Sequence, residues 1–188
     1  MPRFGPLWRV FPWDNRAEDG APFSARFVPG GQGSGRFDLK TTPVLYLAED
    51  PEHAVAEKIQ RYRGQSLESF DLVEYGRPLA LVRIDLTEEI SDGLLDLCDP
   101  ANLFEQSIRP DDVASNSTIT TQAIAAEIYA LGFFGLRWWS AFRGEWHTIT
   151  LFLDRSPLSG LVFSAPDALS LDHPAVLKAA GALTIRIR

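Results

Sequence analysis

The chain has 188 residues, of which 45% are hydrophobic, 23% charged and 11% aromatic. This composition is typical of a globular protein with a hydrophobic core, and it excludes a disordered tail, a collagen-like chain, a coiled coil and a repeat solenoid. Eighteen Lys and Arg against 25 Asp and Glu give a net charge of −7. That sign argues against a protein that binds nucleic-acid phosphates directly.

The sequence offers few residues for a metal site and no segment for a membrane. Cys98 is the one cysteine, which excludes an intramolecular disulfide and a cysteine-based zinc site. His53, His147 and His173 stand far apart and show no metal-ligand spacing. No apolar run approaches the roughly 20 residues that span a bilayer, and the first residues lack the hydrophobic region of a signal peptide. We therefore expect a cytoplasmic protein without metal or membrane attachment.

The first third of the chain predicts two strands and a helix. Residues 7–11 and 43–48 are apolar runs of strand length. Between them, residues 12–42 are rich in Gly, Pro and charge, which indicates loops. An Asp-Pro pair supplies an N-cap and a first helical position, and Gly64 supplies a stop, so residues 51–63 are predicted to form a helix.

The remainder predicts a mixture of strands and helices without a regular βαβ alternation. The predicted strands cover residues 79–86, 133–141, 146–154 and 183–187, and the predicted helices cover residues 118–131 and 173–180. Residues 84–108 contain several acids and neither Lys nor Arg, which indicates a solvated acidic face. We expect one α+β domain over residues 1–188, with a mainly antiparallel sheet flanked by helices.

Arg9 and Glu57 are candidate functional residues with competing interpretations. Arg9 lies in an apolar strand, where a guanidinium needs an anion or several carbonyls nearby. The strand alone favours a structural pair with a buried acid over a ligand phosphate. Glu57 lies about 200° from the apolar position Val55 on the helical wheel, which predicts a solvent-exposed side chain. Its i+4 neighbour Arg61 predicts a weak surface ion pair.

Two other segments carry weak signals. The glycines at 31, 33 and 35, followed by Arg36, match neither a P-loop nor a dinucleotide-binding fingerprint, so a surface loop is expected. Ser140 ends a predicted strand, and no His-Asp pair at recognisable spacing makes it a triad nucleophile. A polar strand terminus is the simpler interpretation of Ser140.

Taken together, four ordered segments resemble the RES domain, the toxin half of a bacterial toxin–antitoxin family. They are Trp8-Arg9, the ungapped GRFDLKTTPVLYLA at 35–48, AVAE at 54–57 and GLRWWSA at 135–141. The second segment is the specific one, although Phe37 and Asp38 replace the commoner Trp-Asn. The part of the chain that carries these motifs is about 7–154.

The resemblance implies a fold related to ADP-ribosyltransferase toxins, with NAD⁺ as substrate and no cofactor. It implies cleavage of the nicotinamide–ribose bond by hydrolysis or phosphorolysis, and a cognate Xre-type antitoxin as partner. Carried over by position, Arg9 and Arg36 hold the diphosphate and ribose, and Tyr46 packs on the nicotinamide side. Glu57 is the catalytic carboxylate, assisted by Arg36, and Ser140 is a polar contact in the same pocket.

Three other functions stay open at the level of sequence. Transfer of ADP-ribose to a protein target uses the same residues as NAD⁺ cleavage. A nucleotide-binding or interaction module without turnover is a further alternative. A nuclease is the least favoured, given the net charge of −7 and the lack of a metal or histidine constellation.

Overall fold

The computed structural model describes residues 2–30, 33–140 and 142–188. The strands are β1 (Leu7–Pro12), β2 (Val44–Ala48), β3 (Ser66–Leu67), β4 (Val73–Glu74), β5 (Arg77–Leu86), β6 (Leu94–Asp96), β7 (Gly135–Trp139), β8 (His147–Phe152), β9 (Leu161–Phe163), β10 (Asp167–Ala168) and β11 (Arg186–Ile187). The helices are α1 (Pro51–Ile59), α2 (Glu88–Asp92), α3 (Pro100–Glu105), α4 (Pro110–Val113), α5 (Thr118–Ala130) and α6 (Pro174–Leu183). Among these described residues, no helix is long and apolar enough to cross a bilayer.

Local sequence signals explain where the longer helices begin and end. Helix α1 starts after Asp50 with Pro at its first position, and it passes into a 3₁₀ turn at Gln60–Tyr62. Helix α5 starts at Ser117, whose side chain accepts a hydrogen bond from a backbone N–H of the first turn. It ends before Gly132, which adopts a φ of 97° that favours glycine.

The chain divides into two compact units that are interleaved in sequence. The first consists of Met1–Gly5, Val28–Leu47 and Leu86–Leu161, and the second of Pro6–Phe27, Ala48–Asp85 and Val162–Arg188. The expectation of a single domain over residues 1–188 stays a prediction.

In the first unit the strand order is β2-β8-β7-β6, with β8 antiparallel and β6 parallel to β7. Helix α5 packs against β7 and α4. The buried core of this unit contains Phe37, Leu39, Val44, Leu95, Leu97, Leu103, Val113, Ile124, Ala125, Ile128, Leu136, Trp138 and Phe152. Complete burial of one large apolar side chain contributes about 1.5–3 kcal/mol. Because Phe37 belongs to this core, the turn that carries Arg36 is anchored.

In the second unit β1 pairs antiparallel with β5, which also pairs with β4, β9 and β10. Ala48, the last residue of β2, lies opposite Trp8 of β1. Helix α1 packs against β1 and α6, and its buried face carries His53, Ala54, Val55, Ala56 and Ile59. A short parallel pair, β3 with β11, completes this unit. The expected α+β class, with a mainly antiparallel sheet and flanking helices, is confirmed.

Two expectations about element limits require correction. Helix α6 runs to Leu183, so the predicted last strand over 183–187 is limited to Arg186–Ile187. Thr184 adopts the left-handed conformation that ends the helix, which delays the strand. The predicted helix over 51–63 is regular only to Ile59 and continues as the 3₁₀ turn.

The acidic run is only partly a solvated face. Glu88, Glu89 and Glu105 are exposed as expected. Asp96 is buried and forms ion pairs with Arg137 at 3.2 Å and with Arg3 at 3.4 Å. A buried carboxylate requires such partners because its desolvation is costly, and neither arginine lies in the run itself. The prediction of a uniformly solvated face was therefore wrong at Asp96.

Candidate functional site

Arg36 is held in a fixed position in the first unit. Its Nη2 donates to the carbonyl oxygen of Val113 and to that of Ser115 at 3.1 Å. The guanidinium carbon lies 4.6 Å from the ring centroid of Trp138 and 5.6 Å from that of Phe37. Aromatic faces attract a cation electrostatically. The structure thus presents Arg36 as an oriented, half-buried cation beside two aromatic rings.

A network of hydrogen bonds fixes the turn that contains Arg36. The hydroxyl of Tyr46 donates to Asp38 Oδ1 at 2.8 Å and accepts from the backbone N–H of Phe37 at 3.0 Å. The N–H of Gly35 donates to Asp38 Oδ2 at 2.7 Å. Gln122 on α5 donates to the Gly35 carbonyl at 2.9 Å. Both carboxylate oxygens of Asp38 therefore hold the loop in one conformation.

Tyr46 is a hydrogen-bond donor in this network and resists ionisation. Burial raises the pKa of its hydroxyl well above the usual value, and the hydrogen bond to Asp38 raises the pKa further. The partly buried ring of Tyr46 packs against the core cluster that contains Phe37 and Trp138. The structure thus places the Tyr46 hydroxyl at the turn that carries Arg36, and the substrate roles of both residues stay predictions.

Ser140 terminates β7 in a buried position, with 3% of the residue exposed. Its N–H donates to the carbonyl of Trp146 at 2.7 Å, and its Oγ accepts from the N–H of Phe142 at 3.2 Å. These bonds link Ser140 to Phe142 and to Trp146. Gly31 and Gln32 of the predicted glycine loop, and Ala141 beside Ser140, lie outside the described residues.

Arg9 lies on β1 of the second unit and bonds to main-chain carbonyls. Nη1 donates to Ala25 at 3.1 Å and Nη2 to Phe27 at 2.9 Å. Burial lowers the pKa of the guanidinium to about 10. Among the residues that the structure describes, these carbonyls take the place of the buried acid that the strand pattern favoured. The contacts tie the 25–27 segment to the sheet.

Glu57 is exposed on α1 of the second unit, as its position on the helical wheel predicts, with 43% of its side chain accessible. Its Oε1 lies 3.2 Å from Nε2 of the fully buried His53, one turn earlier. Gln60 donates to Oε2 at 3.4 Å and to the Glu57 carbonyl at 3.1 Å. The predicted pair with Arg61 was wrong, because Arg61 bonds to Glu74. The helix changes to a 3₁₀ turn after Ile59, which alters the direction of position 61.

The first unit also contains a cavity of about 400 Å³ beside α5, lined among others by Asp38, Lys40, Ile119 and Gln122. Within the part of the chain that the structure describes, no cluster of His, Cys, Asp and Glu could hold a metal ion. The cavity and the Arg36 turn belong to the first unit, and Arg9 and Glu57 belong to the second.

Three residues with a role in these contacts were missed by sequence reasoning. In the sequence Asp38 is only a departure from the family pattern, and Trp138 is only one residue of the GLRWWSA segment. His53 was considered as a metal ligand and not as a partner of Glu57. The i, i+4 spacing of His53 and Glu57 is the one signal that could have found this contact.

Comparisons with known proteins identify the fold and the family of this chain. No curated protein sequence matches the chain. The fold is similar to that of a chain in the crystal structure of the M. tuberculosis MbcT–MbcA toxin–antitoxin complex, with a TM-score of 0.57 and 18% identity. The alignment covers 99% of this chain and 91% of that chain. Residues 6–172 match the family model of the RES domain, which confirms the resemblance, and the chain therefore belongs to the RES domain family.

Proposed function

We propose that this protein is the toxin of a toxin–antitoxin system and that it cleaves the nicotinamide–ribose bond of NAD⁺. The observation that carries the proposal is the Glu57 carboxylate, which is accessible on a helix whose other face is buried. Membership of the RES domain family supports it. So does the likeness of the fold to a chain from a toxin–antitoxin complex.

The proposed reaction breaks the bond between C1′ of the ribose and the nicotinamide nitrogen, and the electron pair leaves with nicotinamide. The ribose acquires oxocarbenium-like positive charge, as in glycoside hydrolysis. A carboxylate beside that sugar stabilises the developing charge and can orient an incoming hydroxyl nucleophile. Water or inorganic phosphate then forms the new bond to C1′ and releases a proton. Glu57 is the carboxylate that the proposal assigns to this role.

Arg36 and Tyr46 supply positioning in the proposal. The nicotinamide ring of NAD⁺ is a cationic pyridinium and therefore already a good leaving group. Orientation of the substrate is then the main task of the protein. An oriented guanidinium suits a diphosphate because it offers charge-assisted hydrogen bonds. The Trp138 ring and the carbonyls of Val113 and Ser115 restrain Arg36 before substrate arrives. Tyr46 holds the Arg36 turn and is proposed to pack on the nicotinamide side.

Arg9 and Ser140 each have a proposed role toward the substrate and a second, structural role that their contacts support. Arg9 is proposed to assist with the diphosphate, while its bonds to Ala25 and Phe27 support a second role in holding the 25–27 segment. Ser140 is proposed as a polar contact, and its bond from Phe142 supports a role in shaping the adjoining turn.

An antitoxin is the proposed macromolecular partner. The solved relative belongs to a toxin–antitoxin complex, and the RES family resemblance implies a DNA-binding partner of the Xre type. The net charge of −7 suits a chain that contacts such a partner and not DNA itself. Co-expression with the neighbouring reading frame, followed by size-exclusion chromatography, tests this assignment.

The decisive experiment follows NAD⁺ and its products with the purified protein, in the presence and absence of inorganic phosphate. Free ADP-ribose indicates hydrolysis, and a phosphorylated ADP-ribose that forms only with phosphate indicates phosphorolysis. Nicotinamide release matched by a mass increase on a protein indicates ADP-ribosyl transfer instead.

Glu57→Gln and Arg36→Ala are the informative variants for this assay. Each is expected to reduce NAD⁺ cleavage at least a hundredfold, by analogy with the removal of one transition-state stabilising group. Glu127→Gln is the matched control because Glu127 is an exposed glutamate on α5. Unchanged cleavage by both Glu57→Gln and Arg36→Ala would contradict the proposed function.

A further inference from the structure

Glu74 binds the two cations nearest to Glu57 along the chain. Its Oε2 lies 2.8 Å from Nζ of Lys58, and its Oε1 lies 3.5 Å from Nη2 of Arg61. The Glu74 side chain is 17% exposed, so its charge is less well solvated than that of Glu57. In the second unit, Lys58 at the end of α1 and Arg61 in the following 3₁₀ turn thus both pair with the Glu74 carboxylate.

A tight hairpin brings Glu74 to this place. Strands β4 and β5 are joined by Tyr75 and Gly76, which have φ values of 53° and 70°. Two successive positive φ values are typical of the two-residue turn that matches the twist of paired strands. In the register of this hairpin Glu74 lies opposite Arg77. Arg77 instead forms an ion pair with Asp14 at 3.0 Å, and Asp14 compensates the charge of Arg77.

Without Glu74, the expected partner of Arg61 is Glu57. The two residues have the i, i+4 spacing and the acid-before-base order that form ion pairs on helices. In the structure Glu57 instead contacts His53 and Gln60. An imidazole and an amide orient the carboxylate without the permanent positive charge of a guanidinium.

We propose that Glu74 is an electrostatic positioning residue, which keeps Arg61 away from Glu57 so that this carboxylate retains its charge for the substrate. The inference rests on the proposed function. A carboxylate stabilises the positive charge that develops on ribose only while its own negative charge is not already compensated by a cation of the protein. Charge-assisted bonds to a guanidinium would both compensate it and occupy its oxygens. Glu74 acts through other residues and does not touch the substrate.

The kinetic test compares wild type, Glu74→Gln and Glu74→Gln/Arg61→Gln in steady-state NAD⁺ cleavage. Glu74→Gln is expected to lower kcat about threefold with little change in KM, because an exposed helical ion pair is weak. The second substitution should restore much of the lost kcat. Raising the salt concentration from about 50 mM to about 500 mM should also restore kcat of Glu74→Gln, since screening weakens the exposed pair between Arg61 and Glu57. Asp85→Asn, which breaks the exposed pair between Arg83 and Asp85, is the control.

A second readout needs no turnover. The side-chain N–H resonance of Arg61, observed by NMR, should respond to Glu57→Gln in the Glu74→Gln background and not in the wild type. A wild type that leaves NAD⁺ intact would refute the proposed function, while the NMR comparison would still test the placement of Arg61. An Arg61 signal that ignores Glu57 in both backgrounds would overturn the inference. So would a kcat loss in Glu74→Gln that neither Arg61→Gln nor salt relieves.

Discussion

The hydroxyl of Tyr46 donates a hydrogen bond to Asp38 at 2.8 Å, and this contact joins strand β2 to the turn that carries Arg36. The Asp38 carboxylate also accepts a hydrogen bond from the N–H of Gly35, which links the beginning of the turn to its end. Because Asp38 is only 5% exposed, water competes little for these bonds. The position of Arg36 therefore depends on Asp38 and Tyr46 as well as on its own contacts.

Gly35→Ala is predicted to disrupt this turn. An added Cβ would lie 2.4 Å from Asp38 Oδ1 and 2.5 Å from the Tyr46 hydroxyl, which is closer than real Cβ atoms approach. Relief of the clash requires separation of the bonded pair, so we expect a loss of about 1–3 kcal/mol in stability. We also expect a rise in KM for NAD⁺ as Arg36 loses its restraint. Urea unfolding and steady-state kinetics measure the two effects.

Gly33→Ala is the matched control for that prediction. A Cβ at Gly33 has nothing within 4 Å. Both the free energy of unfolding and KM should stay close to wild type. Equal effects of the two substitutions would show that loop flexibility, and not the contact with Asp38 and Tyr46, governs the site.

Tyr46→Phe is predicted to cost about 1–3 kcal/mol in stability at neutral pH, because Asp38 and the Phe37 N–H each lose a buried partner. The cost should fall in alkaline solution. The pKa of Tyr46 is raised above its usual 10.0 in the folded state, so above that pH the unfolded chain releases this proton first. The native state then binds more protons, and its stability falls as pH rises.

The phenylalanine variant lacks that titration, so its stability gap to wild type should narrow as pH rises above about 10. Urea unfolding of both proteins between about pH 8 and pH 11 measures the gap, and other titrating groups cancel in the difference. A gap that stays constant over this range would show that Tyr46 ionises normally in the folded protein.

Sequence patterns predicted the elements whose burial decides their conformation. Strands β2 and β5 are apolar runs, and their observed limits differ from the predicted ones by no more than two residues. Helices α2, α3 and α4 were not predicted, because four to six residues show too little of a helical period. Their positions depend on caps and tertiary contacts that a local pattern does not contain.

In the candidate site, too, local sequence predicted some features and not others. Exposure of Glu57 followed from its angle to Val55, since both lie on one helix. The partner of Glu57 did not follow, because Glu74 diverts Arg61 from a hairpin 13 residues further along the chain. Asp38 likewise acquires its role only when Tyr46 is brought onto it by β2. Local periodicity identifies exposed positions, whereas hydrogen-bond partners depend on the fold.

Trp138→Leu is predicted to weaken substrate binding, as well as stability, because Trp138 both orients Arg36 and belongs to the buried core. The ring lies 4.6 Å from the Arg36 guanidinium and 4.9 Å from the Phe37 ring, so both contacts are lost. A cation–π contact contributes about 0.5–1 kcal/mol at an accessible site, which corresponds to a rise in KM of about threefold. Phe104→Leu, which changes an exposed aromatic side chain on α3, should leave KM unchanged. A similar KM for both variants would contradict a role of Trp138 in orienting Arg36.

Arg9→Met is predicted to separate the two roles of Arg9. Methionine preserves much of the apolar stem but leaves the carbonyls of Ala25 and Phe27 without their donors, at a cost of about 1–3 kcal/mol each when water cannot replace them. The 25–27 segment should then become sensitive to proteolysis, which limited digestion measures. If Arg9 also contacts the diphosphate, KM for NAD⁺ should rise in Arg9→Met at a temperature where the variant is fully folded. A destabilised variant with wild-type KM would assign Arg9 to structure alone, because the carbonyl contacts account for stability and leave substrate binding untouched.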